Sequence, residues 1–312
     1  MTRRLQNRIA ESRYALHVTA AYAVAVWLLS GLLIHQWWLQ FVCFALSALF
    51  IVILNNANAL IRIYSRMVSC SFLVLSCMAC FMFDSLVGGV SQLCVIAAYV
   101  MLFRCYRDNT ATGWIFYASL CLGLTSVLWV QVLYFVPFIW LLTATHLNAM
   151  SHRTLMASLL GLLTPYWLGA GWFVYQHRTA DLAAHFAALA QWQPLCDYSE
   201  VTLPQLLVFV MTAGLLITGL IHFWRRSYND KIRTRQMYGF FTIMALLVTI
   251  LLILQPQHYD VLMRLLIINT APFAAHFVAL THTKVTNIAF CVIVILCLSV
   301  TAYCLWMSSS IF

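Results

Sequence analysis

The chain has 312 residues, 64% of them hydrophobic and only 8% charged, with a mean hydropathy of +0.91. A soluble domain carries about 25% charged residues, so these proportions exclude a water-soluble globule and indicate a membrane protein. The net charge of +9 does not point to nucleic acid, because the basic residues stand in short connections between apolar runs, where they orient a chain in a bilayer.

A helix needs about 20 apolar residues to cross a hydrocarbon core of roughly 30 Å. On that measure spans are expected near 14–34, 37–54, 67–83, 87–103, 112–129, 130–146, 155–175, 205–224, 237–254, 260–280 and 285–306. The fold class is therefore an all-α, polytopic membrane helix bundle of about eleven transmembrane helices, in one integral-membrane domain over residues 1–312. The run from Tyr14 to Ile34 follows a basic N-terminus but exceeds a signal-peptide core, and no small-residue cleavage site follows it. It reads as an uncleaved first span.

Beyond the second span, Asn55–Arg66 is rich in amides and carries Arg62 and Arg66. The simpler reading is a helix end and cap followed by basic anchors; the functional one is a forked grip of the two guanidinium groups on a lipid phosphate. Cys77 and Cys80 have redox-motif spacing inside the third apolar run and read as small buried hydrophobes. Ten of the eleven cysteines lie in or beside apolar spans, Cys196 being the exception, so no disulfide framework is expected. Asp84 stands at the end of the third span, either as a polar turn residue or as a carboxylate for chemistry.

Ala111–Thr145 contains no charged residue. As one helix it would measure about 52 Å at 1.5 Å per residue, well beyond the bilayer core, so two spans with a reversal near Trp129–Gln131 are expected. Charge parity agrees. With two spans there, fifteen of the seventeen Lys and Arg residues fall on the side of the N-terminus, in 1–13, 55–66, 104–110, 146–153, 225–236 and 281–284. With one span, the cluster Arg225–Arg235 would face outward, against the positive-inside rule. The N-terminus is then cytoplasmic, and only Arg178 and Arg264 are basic on the outer half.

The long connection 176–204 faces outward in this scheme and carries His177, Arg178, Asp181 and His185. Leu182, Phe186 and Leu189 recur at helical spacing, so an amphipathic helix is expected near 180–192, lying across the outer surface. The cluster Arg225–Arg235, with Asp230 inside it, reads as a solvated anchor. Finally, Gln255–Asp260 opens an apolar run in which Asp260 and Arg264 stand four residues apart and share a helical face. Arginine inside a span is costly and marks a functional site by default; the bland alternative is a snorkelling anchor. The functional alternative is an outward polar cavity of Asp84, His258, Asp260 and Arg264, roofed by His177, Arg178, Asp181 and His185.

Soluble-enzyme motifs are lacking: there is no Gly-rich phosphate loop, no H-E-x-x-H and no G-x-S-x-G, and the ten histidines are scattered, so neither a metal nor a cofactor is expected. Asn55–Met67, Lys231–Tyr238 and Ala274–Lys284 resemble an uncharacterised family of polytopic inner-membrane proteins of Bacteroidetes-type bacteria, which implies a bacterial inner-membrane location. The many short helices, paired hairpins and outer amphipathic helix are also similar to membrane glycosyltransferases that use polyprenyl-phosphate sugars. Their catalytic carboxylate lies in the first outer loop, which here is His35–Trp38 and has no acid, so Asp84 in the second loop would be the base. The lipid-linked glycan polymerases and ligases instead use outer-face arginine and histidine, roles that His177, Arg178, His258 and Arg264 would fill.

Three functions follow as expectations. The first is an enzyme or accessory factor handling lipid-linked glycans at the outer face, in which Arg264 and Arg178 neutralise a polyprenyl diphosphate and Asp84 or His258 deprotonates the acceptor. The second is a transporter using the same cavity, with Pro165 and Pro272 breaking helices. The third is a structural subunit of an envelope complex with a membrane-protein partner. In each, membrane lipids are the surroundings and nucleic acid plays no part.

Overall fold

The computed structural model describes residues 4–176, 179–191 and 195–309. Every regular element among the described residues is helical: α1 (Leu5–Ala10), α2 (Ala15–Leu29), α3 (Leu32–His35), α4 (Trp38–Asn58), α5 (Met67–Met78), α6 (Leu86–Arg104), α7 (Thr112–Leu128), α8 (Val136–Thr145), α9 (His152–Tyr175), α10 (Thr179–Ala190), α11 (Leu203–Arg226), α12 (Ile232–Leu254), α13 (Tyr259–Leu280) and α14 (Lys284–Ser309). Among the described residues, six helical stretches are long and apolar enough to cross a membrane: Trp38–Asn58, Leu86–Arg104, Leu203–Asn229, Ile232–Leu254, Pro256–Leu280 and Lys284–Met307. Four shorter apolar stretches accompany them: Ala15–Leu29, Met67–Met78, Thr112–Leu128 and Val130–Thr145. The chain is thus a multi-pass membrane protein by the length and composition of its helices.

The helices lie close to the predicted segments, with local differences that have local causes. The expected helix 14–34 stops at Leu29, where Gly31 takes a left-handed φ of 97° that a side chain would resist, and α3 follows as a single turn. The third helix ends at Met78 and continues as a 3-10 turn, Cys80–Met82. The reversal expected near Trp129–Gln131 is a 3-10 turn, Val130–Phe135, entered through extended Trp129. Pro165 and Pro272 lie inside α9 and α13 without ending them. A helix does occupy 179–190, where an amphipathic one was expected. All eleven cysteines are free thiols.

Helix α13 is the axis of the bundle. Only Asp260 and Phe277 of its 22 residues escape full burial, and α5, α6, α11 and α12 pack around it. Its stretch has the lowest mean hydropathy of the six, 1.6, because Asp260, Arg264, Asn269, Thr270 and His276 lie on it, and polar side chains within a membrane face the interior of the bundle. Small residues set the spacing elsewhere. A Cβ on Gly123 would stand 2.8 Å from the Leu162 carbonyl oxygen, and one on Gly161 would collide with the Phe116 carbonyl, so these glycines let α7 and α9 meet backbone to backbone.

The connections gather at two ends. At one, Arg4 and Asn7 bond to the 281–282 turn, Ser65 Oγ donates to Ala10 O (2.7 Å), and Arg233 donates to Asn58 Oδ1 (2.9 Å) and Phe103 O (3.2 Å). There too Arg107 N donates to Leu147 O (2.7 Å) and Ser151 Oγ to Asn109 O (2.8 Å). These bonds knit the six basic segments into one basic end. At the other, Gln40 reaches Asp84 O (3.1 Å), Cys196 N reaches Leu254 O (3.0 Å) and Tyr259 OH reaches Gln205 O (2.8 Å).

Candidate functional site

Two polar centres sit on α13, one toward each end. Their anchors, Arg264 and His276, are twelve residues apart, or about 18 Å along the axis at 1.5 Å per residue.

At the first, Arg264 is buried and its Nε donates to Asp260 Oδ1 at 2.9 Å, the i,i+4 pair expected from the sequence. Its NH2 donates to the Met82 carbonyl and its NH1 makes a long contact, 3.5 Å, with Gln92 Oε1. Ser85, the N-cap of α6, accepts from Gly88 N at 3.0 Å and donates to Asp260 Oδ2 at 2.5 Å. Gly88 makes this possible, since a Cβ there would overlap the Asp260 carboxylate and stand 2.6 Å from Arg264 Nε. The guanidinium therefore ties the start of α13 to the end of α5 and the start of α6. A charge-assisted network of this kind holds helices together; each Arg264 nitrogen has a partner, while the buried Gln92 Nε2 has none.

The other residues expected there are placed differently. Asp84 is exposed just before α6; partial desolvation, then the Asp260 carboxylate, raise its pKa above the ordinary 3.8. His258 is half-buried and accepts from Trp129 Nε1 at 3.4 Å, which links it to the α7–α8 reversal. His185 lies on α10 and its Nε2 meets the Ser126 carbonyl at 3.0 Å, so it docks α10 onto α7. His177 and Arg178, and the Asp181 side chain, lie outside the described residues. Arg62 is exposed at the opposite, basic end, and Arg66 there donates to Tyr64 OH (3.1 Å).

The second centre was not read from the sequence. His276 is fully buried; its Nε2 stands 3.1 Å from Asp230 Oδ2 and its Nδ1 stands 3.1 Å from His222 Nδ1. An ionised carboxylate only accepts, so His276 Nε2–H donates to Asp230. His276 Nδ1 and His222 Nδ1 face each other, one donating and the other accepting, which leaves His222 Nε2 as the terminal nitrogen. The local packing explains the geometry. A Cβ on Gly219 would stand 2.7 Å from the Phe273 backbone, so α11 closes onto α13 one turn before the two histidines. Phe223 and Tyr238 pack edge-on to the His276 ring at 5.3 and 5.4 Å. Asp230 is buried, with its side chain 2% exposed, and is not the solvated member of an anchor cluster. The available signal was that it is the one acid among five cations in 225–235.

Beside this second centre lies an apolar groove of about 550 Å³. Its walls include Val18 and Tyr22 of α2, Cys70 and Val74 of α5, Phe277 of α13 and Val294 of α14. Leu5 and Ile9 of α1 line it toward its basic end. Thr19 Oγ1 donates to Ala15 O (3.0 Å) and Tyr22 OH to Thr301 Oγ1 (2.9 Å), so these two hydroxyls are satisfied within the wall. The volume falls within the roughly 300–1,000 Å³ of small-molecule sites, and the lining suits a hydrocarbon chain. Among the described residues no three His, Cys, Asp or Glu side chains group as metal ligands. The chain matches no protein-family model, no curated protein and no solved structure.

Proposed function

We propose that this protein spans the membrane eleven times with its basic end in the cytoplasm, and that it holds a long-chain lipid as substrate or cargo. The observation that carries this reading is the apolar groove between α2, α5, α13 and α14. A bundle that filled this space with side chains would gain packing, so a gap of this size and lining favours an occupant of the same chemistry. A lipid-linked glycan on a polyprenyl phosphate is the member of that class named by the resemblance to membrane glycosyltransferases, in a bacterial inner membrane. The groove sits toward the basic end, so the chain would lie in the cytoplasmic half, away from Asp84 and Arg264.

The same geometry gives Arg264 a different part. Bound to Asp260 and the Met82 carbonyl, it fastens helices. Asp84 is an exposed carboxylate at that end, with its pKa raised by partial desolvation and by Asp260.

The test fills the groove. Ala274 lines it, and Ala274→Phe would occupy it from α13; Val294→Phe would do so from α14. Native mass spectrometry of the purified protein is expected to show a retained long-chain lipid in the parent and loss of it in both variants, with helicity unchanged. If the parent retains no lipid, or both variants retain it fully, the reading fails and a structural subunit becomes the better account.

A further inference from the structure

We propose that His222, Arg226 and Arg62 form the headgroup site for a lipid bearing a phosphate ester, whose chain lies in the groove. The inference rests on the lipid-binding reading and adds the chemistry of the head.

Leu215 lines the groove, and His222 stands seven residues on, two turns along the same face of α11. Phe277 lines the groove as well, and its ring meets His222 edge-on at 5.7 Å. The stripe that walls the cavity therefore runs on to the half-buried His222 at the basic end. Arg226 stands four residues further along α11, on the same face, and exposed Arg62 lies in the connection after α4, which Asn58 ties to Arg233 at the same end.

An imidazole and two exposed guanidinium groups thus gather at this end, beyond the buried Asp230–His276 pair. A phosphate ester at the end of an apolar chain complements all of it, since guanidinium grips phosphate oxygens in a fork. His222 Nε2 offers the third contact. Neutral, it accepts from a protonated phosphate oxygen; protonated, it donates to an anionic one. The buried pair of His276 and Asp230 acts as a positioning device. It holds His222 Nδ1 inward through the 3.1 Å contact with His276 Nδ1, which leaves Nε2 for the ligand.

Full-length protein in phosphatidylcholine nanodiscs would be titrated with dioleoyl phosphatidic acid and, separately, with dioleoylglycerol, which has the same chains and no phosphate. The phosphatidic acid is expected to bind at least about tenfold more tightly, equivalent to roughly 1.4 kcal/mol. Arg62→Gln and the Arg62→Gln/Arg226→Gln double variant, both changing surface residues, should bring its affinity down to that of dioleoylglycerol and leave the latter unchanged. His222→Gln should do the same. Equal binding of the two lipids, or an unaltered preference in the double variant, overturns the headgroup site. If Ala274→Phe still weakens both lipids in that case, the chain reading survives; if it weakens neither, both fall. Inorganic phosphate binding as tightly as the lipid, and untouched by Ala274→Phe, would also overturn the proposal, because the site would then serve a free anion.

Discussion

The two ends of the bundle treat charge in opposite ways. At the end of Asp84 and Asp260, a single arginine is drawn inside, neutralised by a carboxylate and a backbone carbonyl, and built into the contact of three helices. At the basic end most cations are exposed, Arg233 being half-buried against Asn58 and Phe103 O, and what is fully buried is a carboxylate bonded to a histidine. The first arrangement engages its charge in fastening helices; the second leaves most of its cations exposed at the end toward which the groove lies. A conspicuous charge in a membrane helix can thus be a fastening.

The comparison breaks most readily at Arg264. Arg264→Ala would leave Asp260 unpaired and the Met82 carbonyl without its donor, at a cost of about 3–5 kcal/mol for one side of a buried pair. Replacing both partners, Asp260→Leu with Arg264→Leu, should restore most of that stability, because an apolar pair removes the desolvation cost as well. Thermal unfolding of the detergent-solubilised variants followed by intrinsic fluorescence checks both. An Arg264→Ala protein as stable as the parent would show that the guanidinium is free for a ligand.

Next in size is Gly88→Ala, whose methyl group must displace the Asp260–Arg264 pair. Overpacking of this kind costs about 1–3 kcal/mol. The basic end offers a matched contrast. Asp230→Leu removes the acceptor for His276 Nε2 and should cost about 1–3 kcal/mol, the penalty of an unsatisfied buried donor. Arg62→Gln, on an exposed side chain of the same end, should stay within about 0.5 kcal/mol while altering lipid binding. The same unfolding assay, run beside a lipid-binding assay, separates fastening residues from displayed ones. Were Arg62→Gln to destabilise as much as Asp230→Leu, the distinction between the ends would collapse.

Which of these features could be read from the sequence follows from how local each one is. The Asp260–Arg264 pair is an i,i+4 contact within one helix, so spacing alone gives it. The reversal after Trp129 follows from bilayer thickness set against the length of Ala111–Thr145. The gathering of Arg4, Arg62, Arg107, Lys231 and Arg233 into basic segments follows from counting charges between apolar runs. By contrast, the Asp230–His276–His222 chain joins residues 46 and 54 positions apart, and depends on Gly219 closing α11 onto α13. Nothing in the neighbourhood of His276 advertises a carboxylate. Its flanks, Ala275 and Phe277, are those of an ordinary core helix. The engagement of Arg264 by the Met82 carbonyl was hidden for a related reason: the acceptor is backbone exposed by the 3-10 turn at the end of α5, and any residue type there would present it.

The smallest expected effect concerns Asp84 and tests whether the acidic end is electrostatically joined. Partial desolvation and the neighbouring Asp260 carboxylate both raise the Asp84 pKa from 3.8. An acid raised in the folded state holds its proton more tightly there than in the unfolded chain. Its stabilising contribution is therefore present below the ordinary carboxylate value and is lost as pH rises through the folded one. At neutral pH the charged Asp84 is a mild burden, and Asp84→Asn should stabilise the protein by no more than about 0.5 kcal/mol, the scale of surface changes. The gain should shrink as the pH is lowered toward 3.8. It should also shrink in an Asp260→Asn background, since one of the two causes of the raised pKa is then gone. A gain unchanged in that background would assign the whole effect to desolvation, and Asp84 would then stand apart from the Asp260–Arg264 pair.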